Sequence, residues 1–412
     1  MKVSVFTLGC KTNFYESQQI VARLVEAGHD ATTEFVPADV FVVNSCAITK
    51  EAERKSRQAV ARARKLNPDC KVIVVGCASE KNAEQFVGVK GVSYVKGVEG
   101  KQRVAEVLEE TGVDVEALPS VYRHEVDATQ EKSRAFVKIQ DGCNNFCSYC
   151  IVPYLRGRSR SKKIVDVRRE VFAANSAETV LIGIDVSQYG KDSGESLAEL
   201  FRSLRGAETR IRLGSLEASV VTDEVLDALA ELDFCPHFHL SLQSGCDAVL
   251  KRMNRHYTTT EFAADVAKIR SRFPTVAVTT DVIVGFCGET EEEFEETCRF
   301  VRDIGFADVH VFPYSPREGT VAYKQGDDVP ADVKKERVQR LTAIKKKLKK
   351  DFCAEQIGRV EEVLVEQCKD GYFEGYTKNY VRAYFVGDVK SGDVVQVLIK
   401  ETFRDGVKGE LI

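Results

Sequence analysis

Three cysteines, Cys143, Cys147 and Cys150, crowd into the stretch Cys143-Asn144-Asn145-Phe146-Cys147-Ser148-Tyr149-Cys150. Thiols separated by three and then two residues fit inside one tight loop. Their sulfurs can therefore converge on three corners of an iron-sulfur cube, leaving the fourth iron without a protein ligand. A zinc site would normally want a fourth Cys or His close by, and the nearest downstream candidates, Cys235 and His237, lie far along the chain. Disulfides are disfavoured by the crowding of the thiols and by the lack of any mark of secretion. The spacing thus favours the cube, with zinc as the alternative.

The chain has 412 residues, enough for two or three domains, each with its own core. Its hydrophobic content of 43% and charged content of 30% are those of an ordinary soluble globular protein. No apolar run approaches membrane length, and residues 1–10 make a poor signal peptide, so a cytoplasmic protein without a membrane partner is expected. Thirteen cysteines cannot all be paired in disulfides, and metal ligation is the natural use for some. A net charge of −4 gives no global attraction to nucleic acid, so RNA contact must come from local basic patches.

Residues 2–9 read as a short buried strand that stops at Cys10, and residues 16–27 carry apolar side chains at helical spacing. A second strand, Val40-Phe41-Val42-Val43, runs into Asn44-Ser45-Cys46, and a third, Val72-Ile73-Val74-Val75, runs into Gly76-Cys77. Alternating β and α argues for a parallel sheet with helices on its faces, where ligands sit beyond the carboxyl ends of the strands. Cys10, Cys46 and Cys77 each lie just past such an end and suit a second cluster with three protein ligands. Cys70 precedes its strand, at the opposite edge. Free cysteines are common in cores, so spacing alone leaves the second cluster and a plain buried-thiol reading both open.

The motifs Leu8-Gly9-Cys10-Lys11-Thr12-Asn13, Asn44-Ser45-Cys46 and Gly76-Cys77-Ala78, taken with the central cysteine loop, resemble the methylthiotransferases. These are radical S-adenosylmethionine (SAM) enzymes with an auxiliary cluster on three N-terminal cysteines. The resemblance covers nearly the whole chain. It implies two 4Fe-4S clusters, one on Cys143, Cys147 and Cys150 and one on Cys10, Cys46 and Cys77, together with SAM bound at the open iron of the first.

Residues 97–133 read as a helix and a connecting segment. Strand candidates follow at 136–139, 180–184, 212–213, 238–242, 276–284 and 309–312, with helical stretches between. Six βα repeats fall short of a closed eightfold barrel and fit an open (β/α)6 barrel, the radical SAM core that the resemblance implies. The strand ends carry Gly183-Ile184-Asp185, Ser215-Leu216-Glu217, Ser241-Leu242-Gln243 and Asp281-Val282-Ile283. Gly183, Asp185 and Ile283 are candidate SAM contacts by resemblance, and Glu217 by its carboxylate, Gln243 by its place at the rim and Tyr149 by its ring inside the loop join them. The family usually has Pro where this chain has Cys287, and the change loosens the turn.

After the loop comes Arg156-Gly157-Arg158-Ser159-Arg160-Ser161-Lys162-Lys163, whose cations can hold phosphates or an anionic base modification. Arg156, Arg158 and Arg160 are the candidate substrate cations, while Lys162 and Lys163 read as solvated. Pro330 opens a long amphipathic helix with Val338, Leu341, Ile344, Leu348 and Phe352 on one face and Lys and Arg around it, a candidate RNA surface or a packed linker. From 358 the pattern changes to five short strands, 360–365, 372–377, 381–385, 394–400 and 407–411. This small barrel resembles the TRAM domain of methylthiotransferases; Tyr372, Tyr376 and Tyr380 either stack on bases or fill its interior.

The expected organisation is therefore α/β: a parallel-sheet domain over 1–115, an open (β/α)6 core with its basic helix over 130–355, and an all-β TRAM barrel over 356–412. The runs Gln140–Ser161, 183–190 and 375–380 look most like the members that act on N6-threonylcarbamoyladenosine at position 37 of tRNA, beside the anticodon. Two sibling activities stay open, on isopentenyladenosine in tRNA and on a ribosomal-protein aspartate. A third possibility is an iron-sulfur electron carrier or RNA-binding regulator without turnover. The enzyme reading implies the tRNA anticodon stem-loop, a reductant such as flavodoxin or ferredoxin, and a sulfur donor as partners.

Overall fold

The computed structural model describes residues 1–123 and 133–412. Six parallel strands form the first sheet, in the order Asp30–Thr32, Lys2–Thr7, Val40–Ser45, Lys71–Gly76, Val92–Lys96 and Gly112–Asp114. The inner strands are near-continuous Val and Ile because both faces are covered. The helix Lys11–Glu26 sets Ile20, Val21 and Leu24 against Val3, Val5, Val42, Ile73 and Val75 on one face. On the other, the helix Lys50–Leu66 sets Ala59, Val60 and Ala63 against Phe41, Val43, Val72 and Val74.

The first helix begins five residues before the expected start, with Cys10 at its N-cap. Hydrophobic periodicity could not reveal these turns, since Thr12, Asn13, Glu16, Ser17, Gln18 and Gln19 are polar and yet buried. Within the stretch read as helix and connector, Lys101–Val107 is a 3-10 helix and Gly112–Asp114 a strand. Residues 124–132, which include the expected start of the core at 130, lie outside the described residues.

The core contains all six expected strands, Arg134–Lys138, Glu178–Ile182, Arg210–Leu213 continuing as Ser215–Leu216, His237–Gln243, Ala277–Val284 and Asp308–Pro313. Every pair is parallel. Arg210–Leu213 pairs with the first half and Ser215–Leu216 with the second, so the two sheets join into one open barrel. Its outer face packs on helices such as Thr259–Arg272 and Glu291–Ile304, each opened by a capping box, at Thr258 and Thr290.

The last five strands close a barrel in the order Val360–Lys369, Tyr372–Thr377, Arg382–Phe385, Gly406–Leu411, Val394–Phe403. It docks at the amino ends of the core strands, opposite the cysteine loop. There Glu178, fully buried, holds Arg134, Arg210 and Arg212 at 2.7–2.8 Å, and Arg210 and Arg212 donate onward to the carbonyls of Tyr376 and Lys378. Tyr380 stacks between Tyr376 and His237, at centroid separations of 4.7 and 4.6 Å. Two of the three tyrosines singled out in the sequence therefore belong to the contact between barrel and core.

The long helix spans Ala331–Ala354 and packs Val338, Leu341, Ile344 and Leu348 on the core as expected. Its reading as an RNA surface shrinks, because much of its charge is already paired. Lys334 meets Asp327, Arg337 meets Glu289 and Glu291, Arg340 meets Glu291 and Glu295, and Lys345 and Lys349 meet Asp308. Lys335, Lys346, Lys347 and Lys350 are left exposed. Among the described residues no helix is long and apolar enough to cross a membrane.

Candidate functional site

Cys10, Cys46 and Cys77 follow three strands that are adjacent in the sheet and in register at their ends, Thr7 opposite Asn44 and Ser45 opposite Gly76. Parallel pairing therefore delivers all three thiols to one edge, and Cys70 lies before its strand at the other. Two glycines allow the approach. A Cβ on Gly9, whose φ is +104°, would stand 2.8 Å from the Cys46 sulfur, and one on Gly76 (φ +100°) would stand 2.7 Å from the Ser45 carbonyl.

The polar residues of the same motifs lock this edge. Asn13 donates to the carbonyls of Leu8 and Ser45, Asn44 donates to the Asn13 carbonyl, and Ser45 Oγ accepts from the amide of Ala78. Burial pushes the Cys46 thiol up to about 11 and raises Cys77 as well, while the field of Arg156 draws both back. Iron binding thiolates would offset that desolvation, and a donor set of three sulfurs, Cys46 and Cys77 buried and Cys10 exposed, fits an iron-sulfur cluster.

The second set of thiols sits in the loop after Arg134–Lys138, at the carboxyl rim of the core barrel. Gln140 fastens this loop to the next strand end: its Oε1 accepts from the amides of Ile184 and Asp185, and its Nε2 donates to the carbonyls of Asp141 and Gly142. Phe146 turns the chain with φ +47°. Burial raises Cys143 strongly and Cys150 to about 12. The Arg255 guanidinium lies 3.2 Å from the Cys147 sulfur.

Of the candidate SAM contacts, Asp185 and Glu217 are brought together. Asn145, between the thiols, donates to both carboxylates at 2.8 and 2.9 Å, and Gln188 donates to Asn145 in turn. Burial raises the Glu217 carboxyl, and Arg255, 2.7 Å away, opposes that rise. Gly183 lies against Gln140. Tyr149 and Ile283 pack with Phe286, Cys246, Cys287 and Tyr314 in one apolar cluster, a wall on which an adenine ring fits. Gln243 ends its strand with φ +70°. Sequence reasoning missed Asn145, Gln188 and Arg255; only Asn145, lying between two of the cysteines, carried a signal.

The arginine run corrects the expectation. Arg156 is 1% exposed and its guanidinium is fully engaged, by Glu16 at 2.8 and 3.0 Å, Asp141 at 3.1 Å and Asn13 at 2.6 Å. Arg160 is equally buried, donating to Asp141 and to the carbonyls of Arg156 and Arg158. Neither has charge to spare for a substrate. Lys162, read as solvated, is buried against Glu170. Only Arg158 of the three candidates is exposed, its guanidinium 4.4 Å from the centre of the Phe146 ring.

Both thiol sets border one seam. The helix Val152–Arg156, immediately after Cys150, packs Leu155, with Ile151 before it, into the apolar cluster that holds Cys77 and Ala78. Glu16 lies in the same seam and takes Lys101 from its own domain and Lys138 and Arg156 from the core. These three cations hold its carboxyl well below the usual range against the opposing pull of burial, and the same network lowers Asp141.

Comparison with known proteins agrees with both halves. Residues 137–301 match the radical SAM superfamily, and residues 2–97 match an uncharacterized protein family, UPF0004. The threonylcarbamoyladenosine tRNA methylthiotransferase MtaB of Bacillus subtilis is 38% identical, covering 96% of this chain and 93% of its own length. The MtaB of Thermotoga maritima is 34% identical, covering 98% and 96%. The tRNA-2-methylthio-N(6)-dimethylallyladenosine synthase of Geobacillus thermodenitrificans is 35% identical, covering 100% of this chain and 83% of its own. Among solved structures, the radical SAM methyltransferase TsrM of Kitasatospora setae shares the fold, with a TM-score of 0.57 at 14% identity over 76% of each chain.

Proposed function

Since this chain belongs to the methylthiotransferase family of radical SAM enzymes, we propose that it converts N6-threonylcarbamoyladenosine at position 37 of tRNA to its 2-methylthio derivative. The observation that carries this reading is the shared seam. Cys143, Cys147 and Cys150 border it from the core, and Cys10, Cys46 and Cys77 from the N-terminal domain, so two reactive centres can serve one substrate. The names of relatives from Bacillus subtilis and Thermotoga maritima support the choice of nucleoside.

The core thiols are read as holding a 4Fe-4S cluster and the N-terminal thiols a second one. When bound, the core cluster and SAM supply one-electron chemistry able to attack an unreactive C–H bond, which no side chain of the protein could do. The protein's own part is positioning. Asn145 keeps the Asp185 and Glu217 carboxylates side by side, suited to the ammonium and ribose hydroxyls of SAM. Gly183 leaves room at that strand end, Gln243 sits at the rim, and Tyr149 and Ile283 provide the apolar wall. With Arg156 and Arg160 committed to the seam, Arg158 is the cation for the threonylcarbamoyl carboxylate. The tRNA anticodon stem-loop, a flavodoxin or ferredoxin as reductant and a sulfur donor complete the reaction, in the cytoplasm where tRNA is found. The C-terminal barrel is read as a TRAM domain.

Mass spectrometry of tRNA nucleosides from cells with and without the gene tests the substrate. Loss of 2-methylthio-N6-threonylcarbamoyladenosine, with its unthiolated precursor accumulating, is expected; loss of the isopentenyl analogue instead would replace this reading by the sibling activity. Alanine at Cys10, Cys46 or Cys77 should remove about one cluster's iron, leave SAM cleavage in place, and fail to restore the nucleoside. The same change at Cys70 should do none of these. Iron content unchanged in all three variants would end the second-cluster assignment.

A further inference from the structure

Three side chains that the reaction above does not use meet inside the core barrel. His239, Asp281 and His310 stand on three successive strands, His237–Gln243, Ala277–Val284 and Asp308–Pro313, and strand register sets His239 beside Thr279 and Asp281 beside His310. One ligand atom from each lies within 4.8 Å of the other two. The three are not consumed by the surrounding structure. Neither ring nitrogen of His310 has a hydrogen-bond partner among the described residues, and the Asp281 carboxylate meets only His239, whose Nε2 is 3.2 Å from Oδ2. His239 and Asp281 are half-buried and His310 is exposed on the edge strand, so an ion can reach them.

The other nitrogen of His239 is tethered. Its Nδ1 lies 2.9 Å from Thr279 Oγ1, and the same hydroxyl lies 2.9 Å from His237 Nε2. The hydroxyl thus fixes the orientation of the His239 ring, whose Nε2 faces the Asp281 carboxylate. A cation held here would find this nitrogen, the carboxylate and a His310 nitrogen already grouped as donors. An imidazole oriented by a hydrogen bond at its far nitrogen is the usual state of a metal ligand.

We propose that His239, Asp281 and His310 form a binding site for a divalent first-row transition metal, distinct from both sets of cysteines. Two imidazoles and one carboxylate on one side of the ion leave its remaining positions open to the barrel interior. The ion is a separate cation from any cluster iron, and its binding needs neither SAM nor tRNA.

Mn(II) is the discriminating probe, because thiolates bind it poorly and it favours oxygen and nitrogen donors. Cluster-loaded, desalted protein is titrated with Mn(II) while the signal of the free aqua ion is followed by electron paramagnetic resonance. The wild type should take up one ion per chain. His310→Ala, on an exposed edge, and Asp281→Asn should each weaken that uptake at least about tenfold, and Thr279→Val by about ten- to a hundredfold, with cluster absorbance unchanged. Lack of a stoichiometric site in the wild type, or uptake by His310→Ala equal to the wild type, would overturn the proposal and leave His239 and Asp281 as an ordinary proton-sharing pair.

Discussion

Protein reconstituted with iron and sulfide and carrying Cys143→Ala, Cys147→Ala or Cys150→Ala is expected to cleave SAM at below about one per cent of the wild-type rate. In the proposed arrangement each thiol of the loop serves one iron, and its loss leaves that iron without a protein ligand. Cys246 and Cys287 sit in the apolar cluster with Tyr149, and Cys287 is turned toward the Gly326 carbonyl at 2.9 Å. The check is 5′-deoxyadenosine release under a strong reductant, with iron counted in the same sample. Cleavage persisting within tenfold of the wild type would mean that these thiols do not hold the cluster. The contrast with the N-terminal cysteines, where cleavage should survive, is what assigns separate tasks to the two sets.

Glu16→Leu is expected to destabilise the protein by about 3–5 kcal/mol, the usual cost of stranding buried charge. The change leaves Lys101, Lys138 and Arg156 without their shared carboxylate, in a place where none of them reaches water. The sign with pH follows from the depressed carboxyl. A carboxyl lowered on folding stabilises fully above its unfolded value, about 4.3, and that contribution drains away as pH falls toward the folded value. Wild-type stability should therefore drop below about pH 4, and the variant should lose less over the same range. Denaturant titrations at several pH values measure both; a loss under about 1 kcal/mol at pH 7 would show that the network is not a cornerstone of the seam.

Much of this was legible before any coordinates. The thiols at positions 10, 46 and 77 could be grouped because strand ends in a parallel sheet share an edge, and strand order then makes them neighbours. The five short strands after 358 declared a barrel by alternation alone. What stayed hidden were partners distant in sequence. Arg156 looked like a cation free for substrate and Lys162 like a solvated one, since nothing local reveals that Glu16 and Glu170 wait for them. The basic helix misled for the same reason, its acids lying at Glu289, Glu291, Glu295 and Asp308. The His239, Asp281 and His310 group needed the order of strands as well as their period, and the sequence reading did not find it.

The sharing of Glu16 between two domains also orders events on the ribosome. The N-terminal sheet and Lys101 emerge first, and domains generally fold as they appear. At that moment Glu16 has one of its three cations, while the thiols at 10, 46 and 77 already stand together on a finished sheet edge. Lys138 and Arg156 arrive only with the beginning of the core. A nascent chain can thus bring its first three thiols together early, but it keeps an undercompensated carboxylate until the second half is made, and a chain that stalls in between carries a built-in mark of its incompleteness.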